Sequence, residues 1–414
     1  MHMFTIVFIL SLTASLLLQL WLATRHLRYV KEHSDQVPPA FAEKISLEAH
    51  HKAAEYTQIK TRFERLGLFI NPVLLLIWTL GGGLNWLDQY WISFGFPTIV
   101  TGIVFLLSLV IIATLLDIPM SIYRTFYIEQ RFGFNRTTPA VFATDLLKQL
   151  GLTLVIGTPL IALILWLMQN TGAYWWLYVW IVWTAFGLLM MWAYPAFIAP
   201  LFNKFAPLDD GSLRQRIDNL LTRCGFKSNG IFVVDGSRRS GHGNAYFTGL
   251  GANKRIVFYD TLIESLNEDE IEAVLAHELG HFKRKHIIKR IVLMMFTTLL
   301  GLMALGWLIK QQWFYTGLGV EQASVHAALA LFMMTAPVFT FFIAPVSSYF
   351  MRKHEFEADE YAAQQSRASY LIDALVKMYK ENASTLTPDP LYSAFHDSHP
   401  SAAMRIAHLN TQAT

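Results

Sequence analysis

Residues 4–24 run without a single charge, and an apolar helix of that length is about what the hydrocarbon core of a bilayer needs. Six more such runs follow, at 66–84, 96–118, 149–168, 175–197, 291–309 and 325–349. Asp117 is the one Asp, Glu, Lys or Arg in all seven. Charged residues make up 15% of the 414, whereas a soluble chain averages about 25%. The fold class follows: a mainly α, polytopic membrane protein. The first run lacks a basic leader and is longer than a signal-peptide core, so it reads as an uncleaved span. Trp175, Trp176, Tyr178, Trp180 and Trp183 suit a membrane interface in the fifth run.

Basic residues sort the connections. The links at 85–95 and 170–174 hold no Lys or Arg, and the link between the last two spans holds only Lys310. The remainder sits in 25–65, 119–148, 199–290 and the tail after 350. The two sets alternate as seven spans require, so the charge-rich set is expected in the cytoplasm with the amino terminus outside. A net charge of +3 with no basic run interleaved with aromatics argues against a nucleic-acid partner. The lone Cys224 excludes an internal disulfide and a cysteine-based zinc site.

The longest polar connection, 199–290, has room for a small folded domain. Residues 209–224 read as a helix with Leu213, Ile217, Leu220 and Leu221 on one face. Residues 230–235, 244–248 and 255–259 read as strands, the last two joined by a turn at 249–254. After them comes His277-Glu278-Leu279-Gly280-His281, an H-E-x-x-H motif. Residues four apart share a helix face, so His277 and His281 can aim two imidazoles at one metal ion, with Glu278 placed to take a proton from the attacking water. The flanks call for a helix. Asn267 with Glu270 makes a capping box, and Ile271, Val274, Leu275 and Leu279 form an apolar stripe. Lys283, Arg284, Lys285, Lys289 and Arg290 then precede the sixth span, which sets the metal helix at the headgroup level rather than inside the apolar layer.

A catalytic zinc takes a third protein ligand and keeps a position for water. Glu355 and Asp359, four apart after the last span, share a face, while Glu357 points away from it. Glu355 is the better third ligand and Asp359 the orienting carboxylate, although spacing alone permits the two roles to be exchanged. His399, in His396-Asp397-Ser398-His399-Pro400, and Arg405 are both candidate donors for a tetrahedral oxyanion. His50 and His51 with Glu55 read as solvated helix residues, with no third partner in view.

Taken together these residues resemble the integral-membrane zinc endopeptidases known as CAAX prenyl protease type 1, or sterile-twenty-four endopeptidases. Besides HELGH, the similarity rests on LDIPMSIYRTF at 116–126, IEQRFGFN at 128–135 and YPAFIAPLFNKFAPL at 194–208. It continues through NAYFTGL at 244–250, KRIVFYDTLIE at 254–264, EFEAD at 355–359 and HDSHPS at 396–401. The resemblance implies seven long helices forming a barrel around a chamber, with a small α+β zincin-like domain on the cytoplasmic side. It implies one Zn2+ held by His277, His281 and Glu355, with Glu278 as general base. It further implies that Asp359 supports a ligand, that Asn244 and His399 hold the peptide and its transition state, and that Arg405 pairs with the acidic cluster.

Domain boundaries expected on this reading are 1–198 for a membrane domain of five spans, 199–290 for the metallopeptidase domain, 291–350 for spans six and seven, and 351–414 for the segment completing the site. The expected partners are a peptide or protein substrate, lipid-modified if processing is of the CAAX type, and membrane lipids. The short tail after the SHP motif, without a di-lysine signal, resembles that of a bacterial member, so a bacterial inner membrane is expected, with the site on the cytoplasmic side by the sorting of Lys and Arg. Alternatives are a heat-shock-type membrane quality-control metallopeptidase, with fewer spans, and a transporter or scaffold with a structural zinc, whose site would be closed by four protein ligands. An intramembrane protease of the site-two kind would carry its motif inside an apolar span, which the polar flanks here contradict.

Overall fold

A computed structural model describes residues 2–248 and 254–412. Among them six helices are long and apolar enough to cross a membrane: Met3–Glu32, Thr98–Glu129, Pro139–Asn170, Gly172–Phe202, His286–Leu308 and Val325–Gln365. Two more helices, Leu47–Trp78 and Gly83–Ile92, are long and apolar enough only as a pair bent by 48°, which brings the spans to as many as seven when that pair is counted as one. This corrects the expected second span, 66–84. Its apolar run crosses Gly81, Gly82 and Gly83, and Gly82 adopts φ 78°, a left-handed conformation that interrupts the helix. The link expected at 85–95 is therefore mostly the second arm of that bent pair.

The spans pack on one another through a core that includes Phe8, Phe105, Leu165, Leu305 and Leu331. In its midst the buried His326 and Asp88 meet at 2.7 Å, a polar contact that ties the last span to the bent second one. The outward faces are different. Val292, Phe296, Leu300, Met303 and Trp307 stand exposed along His286–Leu308, which leaves an apolar surface suited to lipid chains rather than water.

The polar part carries a four-stranded sheet among the described residues: β1 (Phe205–Pro207), β2 (Ile231–Val234), β3 (Ala245–Thr248) and β4 (Arg255–Tyr259), in the order β1-β2-β4-β3. β2 and β4 are parallel; the other two pairings are antiparallel. β1 was not expected, because three residues ending in proline give no alternating pattern. The turn expected at 249–254 lies, except for Lys254, outside the described residues. β3 is an edge strand. The helix Ser212–Arg223 and the metal helix Glu268–Lys283 cover the sheet with Ile217, Leu220, Leu221, Ile271, Val274, Leu275 and Leu279, all buried in one core with Ile256 and Phe258.

Candidate metal centre

The metal helix starts as its residues demand. Asn267 accepts a hydrogen bond from the Glu270 backbone at 3.0 Å, and the Glu270 carboxylate accepts one from the Asn267 backbone at 2.8 Å, closing the capping box. Its buried face then packs against the continuation of the last span. That helix does not stop at the end of the apolar run near 349 but runs on to Gln365, carrying Glu355 and Asp359 up to the metal helix. Gly280 makes the crossing possible. A Cβ there would lie 2.9 Å from Ala358 Cα and 3.0 Å from its carbonyl oxygen.

The crossing brings three ligand types to one point. Nε2 of His277 and of His281 lie 3.2 Å apart. Glu355 reaches them with Oε2 at 3.4 Å from His277 and Oε1 at 3.2 Å from His281. All three ligand atoms fall within 4.8 Å of one another, in a geometry that can hold a metal ion. All three residues lie on the protein's inside, and Glu355 Oε2 is buried with no hydrogen-bond partner among the described residues. Two imidazole nitrogens facing each other beside an unsatisfied buried carboxylate oxygen call for a cation, a metal ion or a proton. The donor set, two imidazoles and one carboxylate, is that of open catalytic zinc sites.

Asp359 occupies the far side of His277. Its Oδ1 lies 2.8 Å from His277 Nδ1, so the ring nitrogen that faces away from the cluster is held by a carboxylate. Fully buried, Asp359 also accepts from Arg405, at 2.9 Å from Nε and 2.5 Å from Nη2. Arg405 thus sits behind the cluster as a counter-charge. Its guanidinium, despite burial, is held firmly protonated by Asp359. Burial and the Arg405 charge pull the His277 pKa down, but the neighbouring Asp359 and Glu355 carboxylates win and lift it to about 9. Half-buried Glu278 has its pKa raised, mainly by burial and against the pull of the two histidines.

His399 comes to the same cluster, with Nε2 3.5 Å from Glu355 Oε1 and a side chain that remains 62% exposed. Its position is set by Arg352, one turn before Glu355. Arg352 Nη1 donates to the carbonyl oxygens of Ser393, Ala394 and Asp397, at 3.2, 3.3 and 3.0 Å, pinning the turn that presents His399. Sequence reasoning missed Arg352; its spacing of three from Glu355 was the available signal. Among the described residues Asn244 makes none of these contacts. It is exposed at the head of β3, and its side chain accepts from its own neighbour Ala245.

Two further residues were missed, His286 and His354, and Glu357, which points away from the Glu355 face, is engaged by the first of them. His286 is fully buried, 3.0 Å from His281 Nδ1 through its own Nδ1, and its Nε2 lies 2.9 Å from Glu357. His354 stacks on the His286 ring at 4.0 Å. The second histidine pair, His50 and His51, gathers no metal cluster among the described residues. His50 alone departs from the solvated reading, being buried against the His33 carbonyl; His51 and Glu55 are exposed as expected, Glu55 beside Arg131.

An HExxH helix crossing an acid-bearing helix at the polar end of a multi-pass bundle defines a membrane metallopeptidase. Comparison with known proteins agrees with it. Residues 26–204 match the family model described as CAAX prenyl protease N-terminal, five membrane helices, and residues 207–413 match that of peptidase family M48. The chain belongs to peptidase family M48. It is 34% identical to CAAX prenyl protease 1 of Saccharomyces cerevisiae, over 92% of this chain and 90% of that protein. It is 31% identical to the CAAX prenyl protease 1 homolog of Homo sapiens, over 94% and 92%. The crystal structure of S. mikatae Ste24p superposes with a TM-score of 0.92 at 32% identity, covering 99% of each chain. The protein is therefore an integral, multi-pass membrane endopeptidase that uses a metal cofactor and acts on peptide or protein substrates, with its helices arranged around a membrane chamber as in that structure.

Proposed function

We propose that this chain is a zinc endopeptidase that processes the C-terminal region of CAAX-type, lipid-modified substrates, the activity named in its relatives. The observation that carries the metal assignment is the convergence of His277, His281 and Glu355 around the unsatisfied Glu355 Oε2. These three residues would hold the ion. Bound zinc supplies Lewis acidity, lowering the pKa of water toward about 7 and polarising the scissile carbonyl.

The rest is done by the chain's own groups. Glu278 takes the proton from the attacking water and delivers it to the leaving amine. Asp359 holds the Nδ1–H of His277, which fixes the tautomer with Nε2 facing the cluster, and Arg405 keeps Asp359 ionised. His399, exposed beside Glu355, donates toward the developing oxyanion. Asn244 anchors an extended peptide that adds to the outer edge of β3 through main-chain hydrogen bonds.

In this reading the membrane unit comprises 1–198 with 291–350, and the peptidase unit comprises 199–290 completed by 351–414. The excess of Lys and Arg in those polar segments puts the site on the cytoplasmic side. Membrane lipids surround the apolar faces, and nucleic acid has no role. The test is Glu278→Gln. The purified variant is expected to keep stoichiometric zinc and lose peptide hydrolysis by roughly 10²–10⁴-fold. Trapping substrates on it for mass spectrometry identifies the C-terminal sequences and their lipid. Retained turnover would refute the assignment of the base; captured partners without a C-terminal cysteine motif would refute the substrate class.

A further inference from the structure

The metal helix ends at Lys283 and the sixth span begins at His286. Between them Lys285 adopts φ 57°, ψ 31°, one of only two non-glycine residues with positive φ among those described. A lysine in the left-handed region costs on the order of 1 kcal/mol or more, and such strain clusters at functional sites. Its consequence here is geometric. On a continuous helix, positions 281 and 286 would lie about 140° apart around the axis and could not touch. The break at Lys285 folds the chain so that the two imidazoles meet, Nδ1 to Nδ1, at 3.0 Å.

The direction of that contact follows from the rest of the site. Nε2 of His281 faces His277 and Glu355, so a neutral His281 carries its hydrogen on Nδ1 and donates it to His286 Nδ1. His286 then carries its own hydrogen on Nε2 and donates to Glu357 Oε2 at 2.9 Å. His354, stacked at 4.0 Å and 14°, and the complete burial of His286 leave that ring no other seat. The site is thereby built with two carboxylate anchors. Asp359 holds His277 directly, and Glu357 holds His281 through one intervening imidazole.

We infer that His286 and Glu357 are positioning residues for the metal ligand His281, and that the left-handed turn at Lys285 is what makes this relay possible. The inference rests on the reading of His281 as a metal ligand. Partners of this kind are worth about 10–100-fold in metal affinity. His286 gives His281 an acceptor for Nδ1–H, and Glu357 raises the electron density on both rings through the chain.

The experiment measures the zinc dissociation constant of the full-length, detergent-purified protein by chelator competition. Variants are His281→Ala, His286→Ala, Glu357→Gln and the His286→Ala/Glu357→Gln pair, each checked for a native elution profile. His281→Ala comes first: unchanged zinc affinity there overturns the ligand assignment itself, not the relay. With that ligand established, His286→Ala is expected to weaken zinc binding 10–100-fold and Glu357→Gln about tenfold. In the double variant the Glu357 change should add less than twofold, because it acts only through His286. Full multiplication of the two losses, or wild-type affinity in folded Glu357→Gln, overturns the inference. Should His286→Ala not fold, the cobalt-loaded Glu357→Gln protein decides: a shifted visible ligand-field spectrum supports the relay, and a wild-type spectrum refutes it.

Discussion

Replacing Gly280 with alanine adds one methyl group at the crossing of the two helices that make the site. The new Cβ would stand 2.9 Å from Ala358 Cα, 3.0 Å from Ala358 O and 3.2 Å from Tyr361 Cβ, whereas ordinary contact begins at 3.4 Å. The first two are backbone atoms, so no side chain can swing aside. The helices must separate by about 0.5 Å to relieve the closest contact, and overpacking of this kind costs about 1–3 kcal/mol. Glu355 lies three residues from Ala358 on the displaced helix, and its oxygens stand 3.2–3.4 Å from the histidine nitrogens. Metal–ligand distances tolerate only about 0.2 Å. A shift of half an ångström should therefore weaken zinc binding by at least tenfold and lower kcat/KM by 10–100-fold, approaching the loss typical of a 1 Å misplacement. Chelator competition and peptide hydrolysis on the purified variant measure both. Gly151→Ala is the control: it lies inside Pro139–Asn170 with no atom within 4 Å of a built Cβ, so it should be neutral or slightly stabilising. Wild-type zinc affinity in Gly280→Ala would refute the claim that this close approach sets the position of Glu355.

Other outcomes follow from the same geometry. With its pKa lifted to about 9, metal-free His277 holds a proton at neutral pH that zinc must displace. Apparent zinc affinity should then rise about tenfold per pH unit between pH 6.5 and 8.5, and Asp359→Asn should move the break to lower pH; calorimetry or chelator competition across that range checks both. In the proposed role as base Glu278 must be ionised, and its pKa is raised by burial. The acidic limb of kcat/KM should accordingly fall at a pH above the ordinary glutamate range, and the metal-loaded Glu278→Asp protein, if active, should shift it. Arg352→Ala removes three main-chain anchors of the turn bearing His399. It should leave zinc affinity within about threefold of wild type while lowering kcat by about tenfold or more, which a kcat and KM comparison with His399→Ala would test.

Local rules account for the parts of this protein that one stretch of chain can specify. Apolar runs of bilayer length identify membrane helices because each span satisfies its own backbone hydrogen bonds. HELGH is legible for a similar reason: a capping box, an apolar stripe and the four-residue repeat depend only on near neighbours. Even there, three glycines decided where the second span breaks, a backbone effect that an apolar average hides. The tertiary structure decided everything that joins distant residues. Glu355 stands 74 positions beyond His281 in the chain, and only the helix crossing at Gly280 makes them neighbours. The spacing of Arg352 from Glu355 hints that it shares the site's side of the helix, but its role shows only where three carbonyls of a remote turn close on it. His286 is near His281 in sequence yet on the wrong side of a regular helix, and a single left-handed residue reverses that. Periodicity encodes which side chains share a face; it carries no information about which faces meet, because packing is set by the whole chain at once.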